Sequence, residues 1–174
     1  MTMSASRPAQ PAGESPAVRQ LQIDVWGDLA CPWCYVGKNR LDRAIVSSPH
    51  AGAITVMVRS FELDPTMSHL AGTLGLADQL LDVLQRTLFS GQANAYDHTV
   101  IADAASRLGI PRHRVEEVLA SSEYADAVRA DEAEARRLGV TGVPFAVFGG
   151  RTAIPGAASA EGYAKAIEEA WSRR

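Results

Sequence analysis

Between Leu21 and Trp26 the chain alternates, with Leu21, Ile23 and Val25 on one side and Gln22, Asp24 and Trp26 on the other, which is the period of a strand. From Pro32 to about Ser47 the period lengthens. Val36, Leu41, Ala44 and Ile45 recur at helical spacing, and Pro32 suits the first helical position, where its missing N–H costs nothing. Ala53 to Phe61 is rich in β-branched and apolar residues and predicts a buried strand, stopped by Asp64-Pro65. From Ser68 to Leu119 no strand pattern occurs. Helices are predicted over Leu70–Phe89, Thr99–Leu108 and Pro111–Leu119, separated by a stretch from Gly91 to Asp97 and by Gly109-Ile110-Pro111.

Ser122 reads as the cap of another helix, with Tyr124, Ala127, Val128, Ala135 and Leu138 on one face and Gly139 at its end. After Val143-Pro144 come a short strand Phe145–Phe148, a Gly149-Gly150 turn and a second strand Thr152–Ile154. A last helix from about Ala160 carries Tyr163, Ile167, Ala170 and Trp171 on one stripe. The order β-α-β, helices, β-β-α predicts an α/β fold split by an all-helical block, with divisions at residues 21–66, 67–122 and 123–174. Residues 1–20, rich in Pro, Ser, Ala and Gly, predict a disordered lead-in.

Composition narrows the function without naming it. The chain has 174 residues, 47% of them hydrophobic, enough for one domain with its own core and no metal or disulfide staples. A net charge of −3 and 6% aromatics lack the basic footprint of a nucleic-acid binder, and no run of about 18 apolar residues offers a membrane span. The first residues lack the apolar core of a secretion signal and hold few arginines for an organelle transit peptide, so a cytoplasmic location is expected. Lys38, Arg40 and Arg43 on the first helix read as a solvated face.

The cysteines change the picture. There are two, Cys31 and Cys34, and two cysteines placed at random in this length fall three apart in about 1% of arrangements. A CxxC closes too short a loop to constrain much chain, so the pair points to chemistry. Cys31 falls at a helix N-terminus, where unpaired N–H groups and the positive end of the helix dipole favour its thiolate, which makes it the nucleophile. Cys34, one turn on along the same face, suits the resolving thiol that releases a trapped partner. Pro32 and Trp33 between them remove one backbone donor and add a bulky ring, and they are not the Gly-Pro of strongly reducing thioredoxins. The pair as half of a zinc site lacks a second pair of ligands, since His50, His69, His98 and His113 are scattered and read as surface residues. A buried, inert pair is the remaining alternative.

The segments VWGDLACPWCYVGKNR, RSFELDP and TGVPFAVFGGRTAIPGA, in this order, resemble the DsbA-like thioredoxin-fold family, specifically its FrnE-type cytoplasmic members. The resemblance implies a thioredoxin fold interrupted by a helical insertion. It implies thiol-disulfide oxidoreductase or disulfide isomerase activity through Cys31 and Cys34, with no cofactor beyond the redox pair and glutathione as a candidate co-substrate. It further implies that Pro144 is cis, so that the backbone of Val143 faces the sulfurs and binds an extended partner; Pro32, Trp33, Val143 and Pro144 form the expected substrate-contact set. Partners are protein or small-molecule thiols and disulfides.

The chain departs from the family twice. The buried carboxylate that many thioredoxin-fold enzymes place six positions before the first cysteine is here Val25, leaving Asp28, and less readily Asp24, as candidate proton relays to Cys34. The insertion reads as shortened near Thr66-Met67, which leaves apolar surface to be exposed, repacked or covered by a second copy in a homodimer. Two other functions compete: a glutathione-dependent isomerase or transferase resembling the kappa-class transferases and chromene-carboxylate isomerases, which need no second cysteine, and a non-catalytic accessory protein. Glu62 and Asp64 of FELDP receive no chemical role.

Overall fold

The computed structural model describes residues 19–61 and 66–173. The expected lead-in up to Val18 and the Glu62–Pro65 part of FELDP lie outside the described residues. The elements are β1 (Leu21–Gly27), α1 (Pro32–Val46), β2 (Ile54–Ser60), α2 (Thr66–Thr73), α3 (Ala77–Phe89), α4 (His98–Arg107), α5 (Arg112–Leu119), α6 (Ala125–Arg137), β3 (Phe145–Phe148), β4 (Thr152–Pro155) and α7 (Ala160–Ser172). A 3₁₀ turn, Ala51–Ala53, leads into β2. The four strands form one sheet in the order β2-β1-β3-β4, with β1 parallel to β2 and antiparallel to β3, and with β3 and β4 joined as a hairpin. This is the predicted α/β order, with a helical insertion between its halves.

The alternation along β1 decides what covers each face. Leu21 and Ile23 are fully buried against α1 and α7, in a core with Leu41, Ala44, Phe148, Tyr163 and Ile167. Each large side chain there contributes about 1.5–3 kcal/mol by leaving water. On the other face Trp26 packs with Phe145, Val147, Ala135 and Val140 under α6, and its indole N–H donates to the Asp131 carbonyl at 3.2 Å. The insertion has its own core, built from Leu70, Leu80, Leu84, Ile101, Ile110, Val115 and Val118 and joined by Leu29 from the β1–α1 turn. Leu29 thereby ties the insertion to the loop carrying the cysteines.

Two predicted helix limits are corrected. The single helix expected over Leu70–Phe89 is two, because Gly75 adopts a left-handed φ of +70° while the N–H groups of Gly75 and Leu76 close back on Gly72 and Ala71. Ser122 does not cap α6. Its carbonyl accepts the Ala125 N–H in a preceding turn, the Ser121 hydroxyl accepts the Glu123 N–H, and the helix starts three residues later with Tyr124 at its cap. The start of α4 is instead fixed by Asp97, whose side chain accepts the Thr99 N–H at 2.7 Å. Among the described residues no helix is long and apolar enough to cross a membrane.

Candidate active site

β1 ends at Gly27 and the chain turns through Asp28, Leu29 and Ala30 before α1 begins, which places Cys31 as the helix N-cap and Pro32 in its first turn. The Cys31 sulfur accepts the Cys34 N–H at 3.3 Å, in the place a serine or aspartate cap takes in other helices. The free amide groups of the first turn and the helix dipole therefore point at this sulfur. Cys31 is half-buried and Cys34 is buried at 5% exposure, and both are free thiols. Between them Pro32 is exposed and Trp33 is 63% exposed.

Cys34 sits behind Cys31, with the Asp28 N–H donating to its sulfur at 3.4 Å. Burial pushes its thiol far above the ordinary range, opposed by that amide and reinforced by the nearby Cys31 and Asp28. Gly27 leaves room here: a β-carbon on it would lie 3.8 Å from the Cys34 sulfur.

The two candidate relay carboxylates are placed differently. Asp28 lies in the active-site turn, its carboxylate accepting the Ala30 N–H at 2.7 Å and its carbonyl accepting the Cys31 N–H at 3.3 Å. Asp24 lies on the opposite side of the sheet, held by Arg59 at 2.7 and 2.9 Å, and Arg59 also reaches Asp131 at 3.4 Å. Val25, at the strand position that many thioredoxin-fold enzymes give to a carboxylate, lines a small cavity next to Cys34.

Facing the cysteines is the loop before β3. The Val143-Pro144 peptide bond is cis, and the Cys31 thiol donates to the Val143 carbonyl at 3.7 Å. Pro144 is buried, with its carbonyl accepting the Gly156 N–H at 2.7 Å. The loop approaches α1 at Gly37, where a β-carbon would meet the Pro144 ring at 3.1 Å, the Tyr163 hydroxyl at 3.3 Å and the Ala157 β-carbon at 3.4 Å. Gly37→Ala is therefore expected to push the Pro144 loop off the helix. The cost is about 1–3 kcal/mol of overpacking, set against roughly 0.5–1 kcal/mol gained in helix propensity. Urea unfolding reads the balance, and a stabilised variant would refute it.

Several residues that act on this turn were not predicted. Gln85 of α3 is fully buried and donates to the Asp28 carbonyl at 3.2 Å, which ties the insertion to the active-site turn. Lys38 is not on a solvated face: its side chain is 9% exposed and pairs with Asp42 at 2.7 Å and Asp78 at 3.0 Å. Arg40 also turns inward, donating to the Ala157 and Ala158 carbonyls, whereas Arg43 is exposed as expected. One signal for Lys38 is present in the sequence. It stands four residues after Cys34 on the stripe that also buries Gly37 and Leu41, a position that outweighs its charge. His50 stacks on Trp171 at 4.0 Å, while His98 and His113 are exposed and the His69 side chain lies outside the described residues. Among the described residues no cluster suited to a metal ion occurs.

A family model described as the DSBA-like thioredoxin domain matches residues 22–74 and 66–168. No curated protein matches the chain. Among solved structures, a probable DsbA oxidoreductase from Streptomyces coelicolor is 30% identical, with a TM-score of 0.83, covering 89% of this chain and 92% of its own. An oxidoreductase DsbA from Xylella fastidiosa is 16% identical with a TM-score of 0.70, covering 91% and 88%. DsbA of Pseudomonas aeruginosa, as a single-residue variant, is 13% identical with a TM-score of 0.70, covering 91% and 89%.

Proposed function

Because this chain belongs to the DsbA-like thioredoxin-domain family, we propose that it is a thiol-disulfide oxidoreductase working through the Cys31-Cys34 pair. One observation carries the reading: Cys31 caps α1 with its sulfur against the helix amides, Cys34 lies buried behind it, and the Val143 carbonyl faces it from the opposing loop. In the reducing direction the Cys31 thiolate attacks a partner disulfide, forms a mixed disulfide and expels one partner thiolate. Cys34 then attacks the Cys31 sulfur, forms the intramolecular disulfide and expels the second thiolate, so the pair loses two electrons and the partner gains them. The reverse sequence oxidises a partner dithiol.

Trp33 and the backbone at Val143 suit an extended peptide laid across the sulfurs, with Pro32 and Pro144 bounding it. The FrnE-type subfamily, a cytoplasmic setting, disulfide isomerisation and glutathione as recycling co-substrate belong to the same reading and rest on the sequence motifs. Asp28, whose backbone N–H donates to the Cys34 sulfur, is the candidate proton relay in this reading. The burial of Cys34 against Cys31 favours exchange over a glutathione-dependent isomerase, which uses a single thiolate site. Equilibration of the protein across a series of glutathione buffers, quenched by alkylation and weighed by mass spectrometry, is expected to give one two-electron transition between dithiol and disulfide. Absence of a reversible intramolecular disulfide would sink the reading.

A further inference from the structure

Gln85 of α3 is completely buried, and its amide Nε2 donates to the Asp28 carbonyl at 3.2 Å. An accepting carbonyl fixes which end of the amide faces it, so Oε1 points away, and no described residue donates to that oxygen. A buried polar side chain with its acceptor unmet costs stability that an apolar residue of the same shape would not. The one contact it makes lies where the two cysteines meet. The same Asp28 carbonyl accepts the Cys31 N–H at 3.3 Å, and the Asp28 N–H donates to the Cys34 sulfur at 3.4 Å.

Leu29 also anchors this turn in the insertion, but an apolar contact has no direction. It sets where the turn lies and leaves open which way its peptide groups face. A hydrogen bond is directional and sets the second. Gln85 holds the peptide that follows Asp28. The peptide that precedes it shares the Asp28 α-carbon and carries the N–H that faces Cys34. We propose that Gln85 is a positioning residue for the resolving step: by fixing the Asp28 carbonyl it aims the Asp28 N–H at the Cys34 sulfur. The inference rests on the exchange reaction proposed above.

In that step Cys34 loses its proton to solvent, and its thiolate attacks the Cys31 sulfur of the mixed disulfide. The Cys31–Cys34 bond forms and the partner leaves as a thiolate, so the partner is reduced and the pair oxidised. Burial pushes the Cys34 thiol up, and the Asp28 N–H is what opposes it. A thiol so far above neutral pH gains more from a larger thiolate fraction than it loses in nucleophilicity. Cys31 depends less on the turn, since its sulfur is held by the Cys34 N–H of α1 itself. Asp28, Cys31, Cys34 and Tyr96, whose phenol is raised by burial and by the Asp28 charge, are the titratable groups around this turn.

Stopped-flow mixing of the reduced protein with the aromatic disulfide 5,5′-dithiobis(2-nitrobenzoate) separates the steps. Attack by Cys31 releases one equivalent of thionitrobenzoate at a rate set by reagent concentration, and resolution by Cys34 releases a second, independent of it. Gln85→Met keeps the shape and removes the donor. It is expected to leave the first phase unchanged and slow the second about fivefold, with a urea midpoint equal to the native one or higher. Gln85→Glu supplies the distinguishing readout. Its neutral carboxyl can donate to the Asp28 carbonyl and its ionised form cannot, so its second phase should match the native rate near pH 5 and fall progressively behind it by about pH 8. An unchanged second phase in Gln85→Met overturns the inference. So does equal slowing of both phases with a lowered urea midpoint, which marks a merely structural amide, or a Gln85→Glu rate in constant ratio to the native one across pH. Should Gln85→Glu fail to fold, the phase comparison in Gln85→Met decides alone. A native protein that releases one equivalent only refutes the exchange reaction itself, and the inference with it.

Discussion

Serine at Cys31 will bring disulfide exchange down to the uncatalysed rate, while serine at Cys34 will permit one attack and stop the cycle there. The difference follows from where the two sulfurs sit. Cys31 alone faces the opposing loop and carries the amides of the first helical turn, so removal of its sulfur removes the nucleophile. Cys34 is buried and does its work inside the protein, on the bond that Cys31 has already made. Incubation of Cys34→Ser with a disulfide-bonded protein should accumulate a covalent one-to-one adduct, visible by mass spectrometry and dissolved by added dithiol. Turnover by Cys34→Ser at the native rate would refute the assigned roles and favour the single-thiolate, glutathione-dependent chemistry.

Phe148→Ala is expected to give the largest loss of stability among single core truncations. Phe148 is fully buried, pairs with Ile23 across β1 and β3, and packs its ring 6.2 Å from that of Tyr163. Truncation removes the transfer energy of the ring and leaves a cavity between the sheet and α7, together about 3–5 kcal/mol. That is a large share of the roughly 5–15 kcal/mol that holds such a domain together. For a chain of this size the melting midpoint should fall by roughly 6–20 °C, followed by circular dichroism. Because β3 also carries the Pro144 loop, exchange activity should decline before the midpoint is reached. A shift under about 2 °C would show that α7 closes over the gap. Cys31→Ser, by contrast, should melt like the native protein, which keeps chemistry and folding separable.

The parts of the site that local chemistry fixes were legible in the sequence. Pro32 after Cys31 marks a helix start whatever surrounds it, and alternation from Leu21 to Val25 marks a strand. Val143-Pro144 was brought opposite the sulfurs by resemblance to a family, not by spacing, since no local pattern joins two loops so far apart in the chain. What stayed hidden depended on tertiary partners. Lys38 is charged in its sequence but enclosed in the fold, and nothing in α1 announces that α3 brings Asp78 to meet it. Gln85 likewise reads as an ordinary polar residue of an amphipathic helix until its amide is seen on the Asp28 carbonyl. Asp24 ranks below Asp28 as a neighbour of the cysteines, and the period-two alternation that identifies β1 sends it to the far side of the sheet, where Arg59 holds it. The break at Gly75 was missed because the apolar residues of α2 and α3 continue one another's spacing across the turn.

The hydrogen bond from Cys31 to Val143 joins residues 112 positions apart. During synthesis at about 5–20 residues per second, roughly 6–20 s separate the appearance of the nucleophile from that of the loop that will face it. α1 packs its buried face on α7, the last helix to be made, and β3 must wait for the whole insertion before it can pair with β1. The nascent chain therefore carries both thiols before it has the surface with which to choose partners, and selectivity is completed last.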